Sequence, residues 1–325
     1  MDRATLGLVI AVGLLGAATA LAQDRFPSRA VTIVSPFPPG GTSDLTARQL
    51  APVLERAWKQ PVVVQNRAGA AGATGAQFVA NSAPDGYTLI LHLVSISALP
   101  ERDKLFGTTP AYTRDQFVGI ARLTADPPML VVHPSLPVKN LKEFVALAKR
   151  KPGEMIFSSS GLYGASHVPY EMFLQAAGLK MRHLPTTGGA PAMTAVLGGH
   201  AISWACPPNI AAPHLASGKV RAYAQWGAKR LAAFPEVPTF MEQGYKIEYY
   251  LWGGLFAPRG VTPQVFEALR GAVRQAANDP DFIKGMAKIR TPIAYQDADE
   301  FKAFWDRDAA KLAGVIQRIG KVSDK

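Results

Sequence analysis

Along this chain the spacing of apolar residues switches repeatedly between every second position and every third or fourth. Short apolar, β-branched runs predict strands at 31–35, 62–65, 88–92, 129–132, 155–158 and 220–225. Helical spacing predicts helices at 43–58, 74–82, 140–150, 167–177, 191–198, 263–277, 280–288 and 298–319. Thr262 and Pro263 give a cap and a first-turn proline ahead of Val265, Leu269, Val273 and Ala276. The last helix places Phe301, Phe304, Trp305, Leu312, Val315, Ile316 and Ile319 on one face, with charge on the other. Alternation of this kind predicts an α/β fold with mainly parallel sheets flanked by helices.

Two of the predicted strand-to-helix turns share an unusual chemistry. After the run Val31–Ser35 comes Pro36-Phe37-Pro38-Pro39-Gly40-Gly41-Thr42-Ser43-Asp44, and a helix opens directly behind it. After Met155-Ile156-Phe157 comes Ser158-Ser159-Ser160-Gly161-Leu162-Tyr163-Gly164-Ala165-Ser166-His167, again with a helix behind. Glycine lets backbone approach a ligand closely, and N–H groups at a helix start, aided by the helix dipole, suit a carboxylate or phosphate. Neither loop holds a Lys or Arg. Neutral groups are therefore expected to hold an anion: N–H groups around Gly40–Ser43 and Ser159–Ser166, with the hydroxyls of Thr42, Ser43, Ser159 and Ser166.

Pro-rich stretches at 124–128 and 233–238 bracket the segment that carries the second loop. They predict one lobe inserted in another, with two hinge crossings: 23–125 plus 235–325 form the first lobe and 126–234 the second. Two loops on separate lobes would then grip a small anion from both sides.

The chain opens with an apolar run from Leu6 to Ala18, then Ala20-Leu21-Ala22, the pattern of a cleaved secretory leader at 1–22. No later segment is long and apolar enough to span a bilayer. Export to the periplasm follows. One cysteine, Cys206, excludes an intrachain disulfide, and 48% hydrophobic residues permit a large core instead.

The formal net charge is +11, but the Lys and Arg residues are scattered, with no arginine-rich tract. That distribution argues against nucleic acid, and a general attraction to anionic solutes and a merely solvated basic surface fit it equally well. Gly69, Gly72 and Gly75 imitate a dinucleotide loop, but at G-x-x-G-x-x-G spacing, with no acidic residue at the end of the next strand. No cofactor is expected. Six histidines occur singly, which disfavours a metal site. No G-x-S-x-G elbow surrounds the serines; an exported hydrolase using Ser160 or Cys206 is the competing reading, and a ligand-sensing subunit is a third.

The Phe26-Pro27-Ser28 start, the Pro36–Asp44 loop, Pro61-Val62-Val63-Val64-Gln65-Asn66-Arg67, Ala83-Pro84-Asp85-Gly86-Tyr87-Thr88-Leu89, Leu197-Gly198-Gly199-His200 and Gly254-Leu255-Phe256-Ala257-Pro258 together resemble the solute-binding receptors of tripartite tricarboxylate transporters, the Bug receptors. The resemblance covers essentially the whole mature sequence. It implies a two-lobed periplasmic binding protein that closes on a small organic carboxylate and passes it to membrane subunits. The expected ligand-facing residues are Phe37, Pro39, Gly40, Gly41, Thr42, Ser43 and Asp44 on the first loop, and Ser159, Ser160, Gly161, Tyr163, Gly164, Ser166 and His167 on the second. Ser95, Thr187, Trp204, Cys206 and Trp252 complete the set. Tyr163, Trp204 and Trp252 would suit an aromatic or medium-chain acid. A monomer is expected. The sequence departs from the family pattern at His183-Leu184-Pro185-Thr186-Thr187, where a tyrosine is usual after the proline, and across Trp204–Asn209, where an acidic residue is common.

Overall fold

Strand direction relative to one shared edge explains the whole architecture. The computed structural model describes residues 26–322, so the expected leader at 1–22 lies outside the described residues. The first sheet has the order β11-β4-β10-β3-β1-β2, from β1 (Val31–Ser35), β2 (Val62–Asn66), β3 (Thr88–Leu93), β4 (Phe117–Asp126), β10 (Leu251–Pro258) and β11 (Ile293–Asp297). The second has the order β7-β6-β8-β5-β9, from β5 (Met129–Val132), β6 (Ile156–Ser159), β7 (Arg182–Pro185), β8 (Ser203–Cys206) and β9 (Arg221–Gln225).

Helices cover both faces of each sheet, which is why the strands read as nearly continuous apolar runs. On the first sheet, Val31, Ile33, Leu89 and Leu91 pack with residues of α1 (Thr42–Trp58), α8 (Pro263–Ala277) and α9 (Pro280–Lys288). Val34 and Ile90 belong to the opposite core, with α2 (Ala73–Ala80), α3 (Ser95–Phe106) and α10 (Ala298–Ile319). On the second sheet, Leu130 and Phe157 pack with α4 (Leu141–Arg150) and α5 (His167–Ala177). Met129 and Trp204 pack with α6 (Gly189–Leu197) and α7 (Pro208–Ala216). No helix among the described residues is long and apolar enough to cross a membrane.

The fold is α/β with two lobes, as expected, but the sheets are mixed rather than mainly parallel. β1 pairs in parallel with β2 and β3, and β6 with β7 and β8. β10 runs antiparallel to β3 and β4, β11 to β4, and β5 to β8 and β9. The chain crosses between the lobes after Asp126, so β5 begins at the edge where β8 and β9 end. β10 likewise begins there on the return and lies between β3 and β4, both of which end there. A strand entering at that edge must oppose its neighbours.

The Pro-rich stretch 233–238, expected as the second crossing, packs on the second lobe. Thr239 bridges Gln225, and Phe240 lies 4.4 Å from the Trp226 ring and 4.9 Å from that of Phe173. The return to the first sheet follows at 248–250. A third connection is α10. Trp305 and Phe301 pack under Phe256 of the first sheet, while near the far end Gln175 Nε2 donates to the Arg318 carbonyl at 3.0 Å.

Candidate functional site between the lobes

Six helices start at the ends of β1, β2, β3, β6, β7 and β8, so their N-termini gather at the edge where the lobes face each other. These are α1, α2, α3, α5, α6 and α7, and in none does the N-cap side chain take a first-turn N–H, although in α7 Ile210 N donates to Asn209 Oδ1 at 3.0 Å. Among the described residues the other four α-helices start elsewhere, and each is capped: α4 by Asn140, α8 by Thr262, α9 by Asp279 and α10 by Asp297. A helix start without a cap presents N–H groups and the positive end of the dipole to whatever lies in front of it. Six starts converge here, but they are not equally open: His167 N and Val168 N of α5 donate to the Gly164 carbonyl and Thr74 N of α2 to that of Gly69, while the N–H groups of Thr42, Ser43 and Asp44 in α1 and of Gly189 and Ala190 in α6 take no partner among the described residues.

The facing surfaces touch. Thr42 Oγ1 donates to Asn209 Oδ1 at 3.2 Å, joining the starts of α1 and α7. A methyl group on Gly188 would stand 2.5 Å from Pro38 Cδ, and one on Gly161 would stand 2.7 Å from Ala71 Cβ. Gly40 lies across from Ala190, whose Cβ would be 3.8 Å from a methyl group there. Small residues therefore line both sides because the backbones approach closely.

Within the first loop, Asp44 organises the turn. Its carboxylate accepts from Gly40 N at 2.9 Å, Asn66 Nδ2 at 2.9 Å and Arg48 Nε at 3.0 Å. Burial opposes its ionisation, but the hydrogen bonds from Arg48, Gly40 and Asn66 outweigh burial and hold it below the usual carboxylate range. The Ser43 hydroxyl donates to the Leu91 carbonyl at 2.6 Å and lies 3.1 Å from Ser35 Oγ. Phe37 is buried, while Pro39 and Gly40 are exposed.

The second loop is tied in the same way. Ser159 Oγ accepts from Gly161 N at 3.1 Å and lies 2.6 Å from His183 Nε2. Ser166 Oγ accepts from Ser160 N at 2.9 Å and lies 3.0 Å from Ser160 Oγ. His167 Nδ1 accepts from Tyr163 N at 3.1 Å, which leaves Nε2 as the protonated nitrogen, 3.5 Å from Glu171 Oε1. Burial, aided by neighbouring His183, holds His167 neutral, and burial raises Glu171 to about 7.

Ser158 Oγ, Trp204 Nε1 and Asn209 Nδ2 of the second lobe are buried polar atoms with no hydrogen-bond partner among the described residues, as is His167 Nε2. Ser158 and Trp204 are neighbours in the β6–β8 register, and the Trp204 indole lies under the start of α6, with its Cη2 3.6 Å from a methyl group on Gly189. Buried donors of this kind require an acceptor.

The model for the tripartite tricarboxylate transporter family receptor matches residues 46–321. This chain belongs to that family. Protein BugT of Bordetella pertussis is 33% identical to this receptor, over 98% of this chain and 97% of that one. The solved structure of the periplasmic binding protein BugD has a TM-score of 0.85 at 28% identity, covering 91% of this chain and 99% of that one. The structure of R. palustris Rpa4515 with adipate also has a TM-score of 0.85, at 27% identity, covering 91% and 98%.

Proteins of this family bind substrates and are not enzymes, and the residues weighed for a hydrolase have other partners here. Ser160 is paired with Ser166, His167 turns its Nδ1 to Tyr163, and burial pushes the Cys206 thiol well above its ordinary pKa. The glycines at 69, 72 and 75 have packing reasons. Methyl groups at Gly72 and Gly75 would stand 2.9 Å from His92 Nε2 and 2.7 Å from Pro36 Cβ.

Of the ligand-facing residues expected from sequence, both loops and Thr42 reach the facing edges. Ser95, at the start of α3, lies 3.5 Å from the Ala71 carbonyl. Thr187 is exposed beside Gly188. Two aromatic residues are engaged elsewhere. The Tyr163 hydroxyl donates to the Gly320 carbonyl and accepts from Val322 N at 3.0 Å, fastening the end of α10 to the second lobe. Trp252 packs against Phe301 and Phe304, and its indole donates to Asp308 Oδ2 at 2.8 Å. Cys206 is buried at the end of β8, its Sγ 3.3 Å from the Pro207 carbonyl. Asn209 and Gly188 were not singled out from sequence; the start of α7 at Pro208-Asn209 was the available signal.

Proposed function

We propose that this receptor captures a small organic carboxylate in the periplasm, between its two lobes, and delivers it to the membrane subunits of a tripartite transporter. The observation that carries the reading is the convergence of six helix starts on the interlobe edge, with open N–H groups at those of α1 and α6. A carboxylate there accepts from backbone N–H groups and sits at the positive ends of the dipoles. Trp204 Nε1 and Asn209 Nδ2 are the side-chain donors for its remaining oxygens. The similarity to Rpa4515, solved with adipate, supports the same ligand class. Residues 1–22 act as the export leader, and the receptor works as a monomer. Since Tyr163 and Trp252 are used in the fold, Trp204 is the aromatic wall available to an aromatic or medium-chain acid.

Because the facing surfaces touch, loading requires the lobes to rotate apart and close again. The decisive test is calorimetry with adipate, malate and benzoate on wild type and Gly41→Asp. A methyl group at Gly41 meets only ordinary contacts, Pro38 O at 3.5 Å and Phe37 Cβ at 3.9 Å, so the added carboxylate fits and repels an anion at the start of α1. The expected loss is at least ~2 kcal/mol. Equal affinity in the two proteins, or binding of none of the acids, would overturn the reading.

A further inference from the structure

Behind the hinge lies a cavity of about 480 Å³ that shares no residue with the two loops. Ala125 of β4, Tyr249 of the return crossing, Met172 of α5 and Leu312 of α10 line it. Tyr249 is only 8% exposed, and its hydroxyl has no partner among the described residues. Burial raises its pKa well above the ordinary phenol value, so the hydroxyl stays a donor. Phe304 also lines it, with the Arg122 guanidinium stacked 4.5 Å from its ring centre. Arg307 and Lys311, exposed on α10, stand at the mouth and make no ion pair among the described residues. Of the two acids bordering the cavity, Glu248 and Asp308, the second accepts the Trp252 indole N–H.

We propose that this hinge cavity is a second binding site, for an amphipathic carboxylate that carries an oxygen acceptor at its far end, such as a phenolic acid. The carboxylate pairs with Arg307 and Lys311 at the mouth. The ring lies between Phe304, Met172 and Leu312. The distal oxygen accepts from Tyr249, giving the buried hydroxyl the partner it lacks. This site is independent of the interlobe reading and stands or falls separately.

The test uses 4-hydroxyphenylacetate as probe, with phenylacetate as its hydroxyl-free counterpart, in calorimetry on the mature protein. In Gly41→Asp, which blocks the interlobe edge, the probe is expected to bind as it does to wild type. Ala125→Trp fills the cavity and should weaken binding at least tenfold, with folding checked by circular dichroism. Tyr249→Phe, which removes one oxygen and keeps the packing, should abolish the preference for the probe over phenylacetate. The proposal is overturned if the probe does not bind at millimolar concentration, if binding disappears in Gly41→Asp, or if Tyr249→Phe leaves the preference intact.

Discussion

Thr42 and Asn209 stand at the starts of two helices from different lobes, and the Thr42 hydroxyl donates to the Asn209 amide oxygen at 3.2 Å. That bond exists only with the lobes together, while Asn209 Oδ1 keeps its local partner, Ile210 N, at 3.0 Å in either arrangement. Thr42→Val removes the cross-lobe bond and nothing inside either lobe. A net hydrogen bond contributes about 1 kcal/mol, so affinity for the captured acid should fall about fivefold in calorimetry while the melting temperature of the free protein hardly moves. Unchanged affinity would show that the bond has no part in closure.

Gly188 offers a steric version of the same test. Its backbone is extended, with φ 168°, so alanine is free of strain there. The added methyl group would nevertheless stand 2.5 Å from Pro38 Cδ across the lobes. Gly188→Ala is expected to hold the lobes apart. Solution scattering should give a larger radius of gyration at saturating acid than wild type shows, with affinity down at least tenfold. A wild-type profile would mean that the loop yields and the contact is soft.

Tyr163 separates packing from ligand recognition. Its hydroxyl serves Gly320 and Val322 at the end of α10. Tyr163→Phe should lower stability by about 1–2 kcal/mol and speed hydrogen exchange at Val322, with affinity for the acid unchanged. A loss of affinity without a loss of stability would return Tyr163 to the binding surface.

Asp126 makes stability depend on pH. It ends β4 at the first crossing, is buried, and its Oδ1 has no partner among the described residues. Burial pushes its carboxyl from the ordinary 3.8 up to about 8. The folded protein therefore holds this proton where the unfolded chain has released it, and the contribution to stability is lost as pH climbs from about 4 to about 8. Asp126→Asn imitates the neutral acid and removes the dependence. The difference in melting temperature between variant and wild type should be near zero at pH 4 and reach several degrees in the variant's favour at pH 8. Glu171 titrates in the same direction in both proteins and cancels from the difference. A gap independent of pH would assign Asp126 an ordinary pKa.

The elements with clean periodicity were legible in the sequence. Residues 31–35, 167–177 and 263–277 agree with β1, α5 and α8 to the residue. What escaped has physical causes. β10 reads Leu-Trp-Gly-Gly-Leu-Phe-Ala-Pro, and its central glycines look like a turn; they are there because a methyl group on Gly253 would stand 2.9 Å from Thr124 Oγ1 and one on Gly254 2.4 Å from the Phe301 ring. α3 contains Pro100 and is buried on every side from Ser95 to Pro100, so no polar stripe marks it. Both loops were legible because Gly, Pro and Ser cluster there. The destinations of the hydroxyls were not, since Ser43 reaching Leu91 and Ser159 reaching His183 depend on strands brought together only by the fold.

Side chains are what mutation can delete, and the N–H groups at the starts of α1 and α6 are backbone. Their placement follows from strand direction at one shared edge, so it survives any sequence that keeps the two sheets. On the proposed reading, diversification of the receptor falls on the groups around that anchor, chiefly Thr187, Trp204 and Asn209. A library built to redirect the protein toward another acid should vary these positions and leave Gly40, Gly41, Gly161 and Gly188 alone. Failures in such a library should change which acid is accepted more often than whether an acid is accepted at all.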